Sequence, residues 1–267
     1  MNIYKHELKM LSGSIFTWSI SIAAILLIFM ALFPAMAADA ELLNQVMAKM
    51  PKELLTAFGM TDMNMATVLG FFGFLFIFCQ LCLAIQASNY GFGLVSLEER
   101  DMTADFLLAK PVSRFKIMTS KVLAGLTALL ITNLTAWVFS FLSIELFRGG
   151  RSYDSSILVT ILSGVILFQL FFFTVGLVVS LMMRKVRNVT PLSMALSFGM
   201  YVLSAFGGLV GDVKLENITP FKHFESAYVI NNGHFNTSLV MLSAVVIIIS
   251  VIGSYILYAR RNILSAV

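Results

Sequence analysis

Residues 66–93 read ATVLGFFGFLFIFCQLCLAIQASNYGFG, 28 residues without one Asp, Glu, Lys, Arg or His. A helix needs roughly 20 predominantly apolar residues to cross the hydrocarbon core of a bilayer. The stretch is apolar on every side, as expected for a helix surrounded by lipid. It lacks the alternation over about ten residues that indicates a strand of a membrane β-barrel. It therefore predicts a transmembrane helix.

Five further stretches follow the same pattern, and the charged residues fall almost entirely between them. The chain is 59% apolar and 12% charged, whereas soluble domains carry about 25% charged residues. We predict an all-α polytopic membrane protein, with one transmembrane domain over residues 1–267. The predicted spans 1 to 6 are Ile15–Pro34, Ala66–Gly93, Val122–Leu146, Ile157–Met183, Leu192–Val210 and Leu239–Tyr258.

The Lys and Arg residues predict the orientation of the spans. Twelve of the 18 fall in the segments that include both ends of the chain, and six fall in the other segments. Cytoplasmic loops carry the excess of Lys and Arg, so we expect a multi-pass membrane protein with both termini in the cytoplasm. The net charge of +4 does not indicate a nucleic-acid partner, because the basic residues lie at span ends and form no stripe.

Residues 1–12 have an amphipathic pattern. Tyr4, Leu8 and Leu11 recur at helical spacing, with Lys5 and Lys9 on the opposite face. One interpretation is an interfacial helix that lies in the membrane plane. The other is a simple extension of span 1, and the pattern leaves both open.

Few polar side chains interrupt the spans. Amides inside a span usually hydrogen-bond a neighbouring helix, and the alternative is that they line a substrate path. The histidines lie outside the spans, and Cys79 and Cys82 have no charged neighbour that would favour a thiolate or a metal site. We therefore predict no catalytic, metal or cofactor-binding residue in this chain. The candidate path residues are Gln80, Gln86, Asn89, Asn133 and Gln169.

The segment between spans 2 and 3, residues 96–116, predicts a short helix on the cytoplasmic side. Thr103 can cap its start, and Pro111 disfavours helical geometry in the residue before it, so the helix ends near Lys110. Ser113 can then cap the helix that enters span 3. The two-turn helix presents Phe106, Leu107 and Leu108 between charges of both signs. Such an apolar surface, flanked by charges, suits docking to another protein. The alternative is an interfacial loop whose Phe and Leu side chains insert into lipid.

This segment resembles the signature of permease subunits of type-2 ATP-binding cassette (ABC) exporters, the bacitracin-resistance and sodium-export-like permeases. The pattern is an acidic pair, a Gly-Thr, a Leu-rich turn, Pro-Val-Ser-Arg and a Lys at the next span. Two positions depart from this pattern: Met102 stands where the family usually has Gly, and Ser120 stands where Gly often precedes the Lys. The matching residues are Glu98, Glu99, Thr103, Leu107, Leu108, Pro111, Val112, Ser113, Arg114 and Lys121.

The resemblance implies a function for the segment. Residues 96–116 would be the coupling loop, whose helix sits in a groove of the ATP-binding subunit. Six spans with both termini inside, and a Pro-Phe-aromatic stretch in the extracellular loop at residues 212–237, are similar to that family. The resemblance implies two ATPase copies, a second permease copy (identical or similar) and ATP with Mg on the ATPases. The coupling residues would be Glu98, Glu99, Arg100, Thr103, Phe106, Leu107, Leu108, Pro111, Ser113 and Arg114.

Other functions remain as alternatives. No Gly-x-x-x-x-Gly-Lys-Ser/Thr occurs, so the chain cannot hold nucleotide phosphates in the P-loop manner. An ion-coupled transporter usually keeps ionisable residues within its spans, and an intramembrane hydrolase needs a nucleophile with a base or a metal. A non-transporting membrane scaffold is the third alternative. The aromatic spans favour an amphipathic peptide or a lipophilic antibiotic as the exported cargo.

Overall fold

The computed structural model describes residues 3–51, 55, 60, 63–100, 112–183, 185–210 and 213–261. These residues form helices and connecting turns, without a β-strand among them. Six of the helices are long and apolar enough to cross a membrane, which confirms the predicted fold class. The helices that carry spans 1 to 6 are α1 (Ile3–Met30), α4 (Val68–Arg100), α5 (Arg114–Phe147), α6 (Ser155–Met182), α7 (Val189–Val210) and α11 (Thr237–Arg260).

The first helix is unbroken from Ile3 to Met30. Residues 3–12 are therefore continuous with the helix that carries span 1, and no proline interrupts this segment. Pro34 ends the regular helix further on: α1 stops at Met30, and α2 (Phe33–Ala38) starts with the proline in its first turn. Helix α3 (Ala40–Lys49) follows.

Helices α4 and α6 form the centre of the bundle. In their most apolar stretches 67% and 61% of the residues are buried, against 17% in both α7 and α11. The two central backbones approach closely at Gly91 and Gly176. A Cβ at Gly91 would lie 2.2 Å from the carbonyl oxygen of Phe173, and a Cβ at Gly176 would lie 3.1 Å from that of Ser88. Small residues allow such close packing between membrane helices, where lipid supplies no hydrophobic driving force between them.

The segment between α7 and α11 folds back into the bundle. It contains α8 (Val213–Glu216), α9 (Pro220–His223) and α10 (Ser226–Asn232). Phe221 and Phe224 place their rings 5.1 and 6.1 Å from the ring of Phe168, which lies at the midpoint of α6. The sequence predicted a loop here, and the structure shows a compact aromatic cluster between the long helices.

The periphery of the bundle is apolar. Leu134, Phe206 and Ile249 are 56%, 58% and 65% exposed on α5, α7 and α11. Exposed apolar surface of this extent marks an interaction or membrane surface in proteins generally. With six helices of spanning length, it is the surface that meets lipid or another membrane subunit.

Candidate functional site

The predicted coupling residues lie at one end of the bundle, called here the amino-terminal end, where α1 starts and α4, α6 and α11 finish. Glu98, Glu99 and Arg100 form the last turn of α4. Ser113 and Arg114 stand at the start of α5. The short helix predicted between them lies outside the described residues, as do its coupling residues Thr103, Phe106, Leu107, Leu108 and Pro111.

Ser113 caps α5 as the sequence predicted. Its backbone is extended (φ −66°, ψ 146°), and its side chain accepts a hydrogen bond from the Lys116 backbone N–H at 3.3 Å. An N-cap of this kind satisfies one of the four free N–H groups at a helix start. The start of α5 is therefore fixed in position immediately after the coupling loop.

Arg114 caps the carboxyl-terminal end of a different helix, α11. Its Nη1 donates to the carbonyl oxygens of Tyr258, Ala259 and Arg261, at 3.4, 3.5 and 2.5 Å. The last carbonyls of a helix lack intrahelical partners and carry the negative end of its dipole. The Arg114 guanidinium therefore ties the start of α5 to the end of α11.

Arg261 repeats this arrangement one helix further. Its Nη1 donates to the carbonyl oxygens of Leu181 at 2.6 Å and Ser180 at 3.4 Å, and its Nη2 donates to that of Met183 at 3.2 Å. Arg261 thus caps the end of α6. Arg114 and Arg261, called here the arginine caps, join α5, α11 and α6 in series.

An ion pair that the sequence analysis missed lies at the same end. The Lys121 Nζ is 2.8 Å from the Glu7 Oε1, and these side chains are only 1% and 11% exposed. Close by, the hydroxyls of Tyr4 and Thr127 are 3.0 Å apart. These contacts fasten the start of α1 to α5. The signal in the sequence was that Glu7 is the first acidic residue of the chain and stands among basic residues.

Among the described residues, the five candidate path residues fall into two groups by their hydrogen bonds. Gln80 donates to the Phe224 carbonyl oxygen at 3.0 Å, and Gln86 donates to the Tyr90 hydroxyl at 3.2 Å. Asn89 is 3.4 Å from the Ser193 hydroxyl. Gln80 and Asn89 thus join α4 to neighbouring segments, as amides between membrane helices usually do. The Gln86 bond lies within α4, because Tyr90 is on the same helix.

Asn133 and Gln169 are the two candidates that the structure brings together. The Asn133 Nδ2 donates to the Gln169 Oε1 at 3.3 Å, across α5 and α6. Both side chains line a cavity of about 210 Å³ between these helices.

His223 is a buried titratable group towards the other end of the bundle. Its Nε2 lies 3.2 Å from the Asn217 carbonyl oxygen, and its Nδ1 lies 2.6 Å from the Ser243 hydroxyl. A carbonyl can only accept, so Nε2 carries the proton and Nδ1 accepts from the serine. Burial lowers the pKa of His223, because it disfavours the charged imidazolium, and the backbone hydrogen bonds oppose this change only partly.

Within the described ranges, no three His, Cys, Asp or Glu side chains come together as they would to hold a metal ion. No curated protein and no solved structure matches the chain. A family model does match, over residues 1–263, and its description is "ABC-2 family transporter protein". The chain therefore belongs to the ABC-2 transporter family, and it is a multi-pass membrane component of an ABC transporter and not itself the ATPase.

Proposed function

We propose that this chain is the permease of an ABC exporter and that separate ATPase subunits drive it through the loop between α4 and α5. Membership of the ABC-2 family supports a partner with an ATP-binding cassette. Two such partners, holding ATP and Mg, would act on two permease copies, either identical or similar. The excess of Lys and Arg at the amino-terminal end of the bundle supports a cytoplasmic location for that end in a bacterial plasma membrane.

The arginine caps are the observation that carries the coupling proposal. The loop ends at Ser113, and the next residue bonds the end of α11. Arg261, directly after α11, bonds the end of α6. A push on the loop would therefore move three long helices together. Rigid-body rocking of this kind is a general mode of alternating access.

The docking surface would be the apolar turn formed by Phe106, Leu107 and Leu108, with charged neighbours including Glu98, Glu99 and Arg100. Arg114 has a different role in this proposal from the one that its position in the motif implied. Because its guanidinium is engaged by the α11 carbonyls, it would transmit the movement and not contact the ATPase.

The cargo would be an amphipathic peptide or a lipophilic antibiotic. The central parts of the six long helices carry no Asp, Glu, Lys, Arg or His among the described residues, and such helices offer no charged group to bind a strongly polar solute. The apolar and aromatic lining of the bundle suits a molecule that partitions into lipid.

Reconstitution tests this function. The chain and its cognate ATPase are purified together, placed in liposomes and assayed for ATP hydrolysis and vectorial transport. Phe106→Asp should reduce copurification of the ATPase, because it places a charge in the apolar turn. Phe147→Asp makes the same change at the opposite end of α5 and should leave copurification unchanged.

Arg114→Glu should separate binding from transport. The ATPase should still copurify, but transport per ATP hydrolysed should fall, since the carbonyls at the end of α11 repel a carboxylate. Normal copurification and transport with Phe106→Asp would contradict the docking role. Transport by the purified chain alone, driven by an ion gradient, would contradict ATP coupling altogether.

A further inference from the structure

The cavity between α5 and α6 contains a polar group that the packing of the helices does not explain. Its walls come from the middle of both helices, and all but two of the lining residues are apolar. The two exceptions, Asn133 and Gln169, are 2% and 1% exposed. The complete lining is Leu126, Leu129, Leu130, Asn133, Ile166, Gln169 and Leu170.

The amide of Gln169 is only half satisfied. Its Oε1 accepts from Asn133, but its buried Nε2 has no hydrogen-bond partner among the residues that the structure describes. A buried donor without an acceptor is unfavourable, because it loses its hydration without compensation. Gln80, an equally buried glutamine on α4, has its Nε2 paired with a backbone carbonyl. The unpaired Gln169 donor is therefore a group for which an acceptor is missing.

The cavity opens towards the periphery of the bundle. Leu130 and Ile166 on its rim are 49% and 44% exposed, on the surface that meets the hydrocarbon in a membrane protein. A ligand would enter from the bilayer plane, which excludes a charged or strongly hydrated molecule. The volume of 210 Å³ equals about seven water molecules at ~30 Å³ each. It accommodates a short piece of a chain and not a whole drug-sized molecule, which needs at least roughly 300 Å³.

We propose that this cavity binds a lipophile through a carbonyl group. The carbonyl oxygen of an ester, amide or ketone accepts the hydrogen bond from the Gln169 Nε2, and the adjoining apolar chain packs against the leucines. Two sources have this chemistry: the ester-linked acyl chains of bilayer lipids, and a lipophilic exported molecule. The proposal stands on the cavity and its amide alone, and it does not depend on coupling to an ATPase.

Photolabelling of the purified chain in detergent tests the proposal. The probe is a long-chain methyl ester with a diazirine in its chain, and the comparison probe is the matching methyl ether, which lacks the carbonyl. The ester should label the peptides around residues 126–133 and 166–170 with about two- to tenfold higher apparent affinity than the ether, as expected for one net hydrogen bond. Gln169→Leu should reduce ester labelling to the ether level, whereas Gln80→Leu should leave it unchanged.

A second variant keeps the amide and closes the entrance. Leu130→Trp should lower labelling by both probes, and its half-exposed position tolerates a larger side chain. Competition by ester-linked phosphatidylcholine that ether-linked phosphatidylcholine fails to reproduce would support a bilayer lipid as the natural occupant. Failure of both lipids to compete, with the ester preference retained, would support a small cargo molecule.

Three results would overturn the proposal. The first is equal labelling by the ester and the ether probe, and the second is undiminished ester labelling of a folded Gln169→Leu variant. The third is a disulfide between two copies of a Leu130→Cys variant from which Cys79 and Cys82 have been removed. The last result would show that a second copy covers the cavity.

Discussion

Replacing Lys121 by Met should destabilise the protein by about 3 kcal/mol. Removing one partner of a buried ion pair typically costs about 3–5 kcal/mol, because the other charge stays buried without compensation. Glu7 keeps 11% of its side chain exposed, which places the expected cost at the low end of that range. A loss of 3 kcal/mol lowers the folding equilibrium constant roughly a hundredfold. Most of the cost arises from the unpaired carboxylate, so removing Glu7 as well should restore much of the stability.

The assay is equilibrium unfolding in mixed micelles of a mild detergent and dodecyl sulfate, followed by tryptophan fluorescence. Trp18 lies on α1 and Trp137 on α5, the two helices that the ion pair joins. The variants are Lys121→Met, Glu7→Leu and the double substitution, with Lys116→Met on the exposed face of α5 as the matched control. We expect the free energy of unfolding to fall by about 3 kcal/mol in Lys121→Met and to stay within about 0.5 kcal/mol of wild type in the control.

The double-mutant cycle decides whether the pair itself is responsible. Its coupling energy should be about 2–3 kcal/mol, since residues in direct contact interact by up to this amount. If Lys121→Met cost no more than Lys116→Met, or if the two single losses simply added, the Glu7–Lys121 contact would not fasten α1 to α5.

Three further predictions concern packing, titration and capping. Gly91→Ala should lower the free energy of unfolding by about 1–3 kcal/mol, as overpacking does, because the new Cβ meets a backbone oxygen of α6 at 2.2 Å. The control in the same unfolding assay is Gly199→Ala, whose new Cβ would meet nothing within 4 Å. Burial lowers the pKa of His223, so the stability that its neutral form contributes is complete above pH ~6.5 and is lost as the pH falls from there towards the folded-state pKa. Thermal unfolding between pH 8 and 5 should show this loss of stability. The variant His223→Asn should reduce the pH dependence. Arg261→Leu should speed hydrogen exchange in the last turn of α6, because it leaves carbonyls uncapped, and the exposed Arg260→Leu should not.

Each of these predictions has a contrary outcome. Equal effects of Gly91→Ala and Gly199→Ala would show that α4 and α6 can separate without loss. A pH dependence that His223→Asn leaves intact would assign the titration to another group. Unchanged exchange in Arg261→Leu would mean that the end of α6 has other partners of equal strength.

The spans could be predicted from the sequence, because a long apolar run is stable in lipid as a helix whose backbone N–H and C=O groups bond one another. The Ser113 cap was predictable for a related reason, since capping depends on residues only three positions apart. The arginine caps were not predictable, because they join Arg114 to carbonyls 144–147 residues away. The Glu7–Lys121 pair is separated by 114 residues, and only the packing of α1 against α5 brings it together.

The segment between α7 and α11 shows a different limit. Its composition is polar enough for a loop, and Phe221 and Phe224 carried no sign of where they would pack. Their burial depends on the space that α6 leaves around Phe168, which is a property of three-dimensional packing. For the candidate site, the sequence identified the amides, but the structure was needed to separate the satisfied Gln80 from the half-satisfied Gln169.

The arginine caps impose an order on biosynthesis. The Leu181 carbonyl leaves the ribosome 80 residues before the guanidinium that will bind it, a delay of roughly 4–16 s at 5–20 residues per second. During that interval the end of α6 must stay hydrated at the membrane surface or be held by the insertion machinery. A nascent polypeptide arrested before α11 would lack both caps, and the carbonyls at the end of α6 would be without the Arg261 guanidinium in any such fragment.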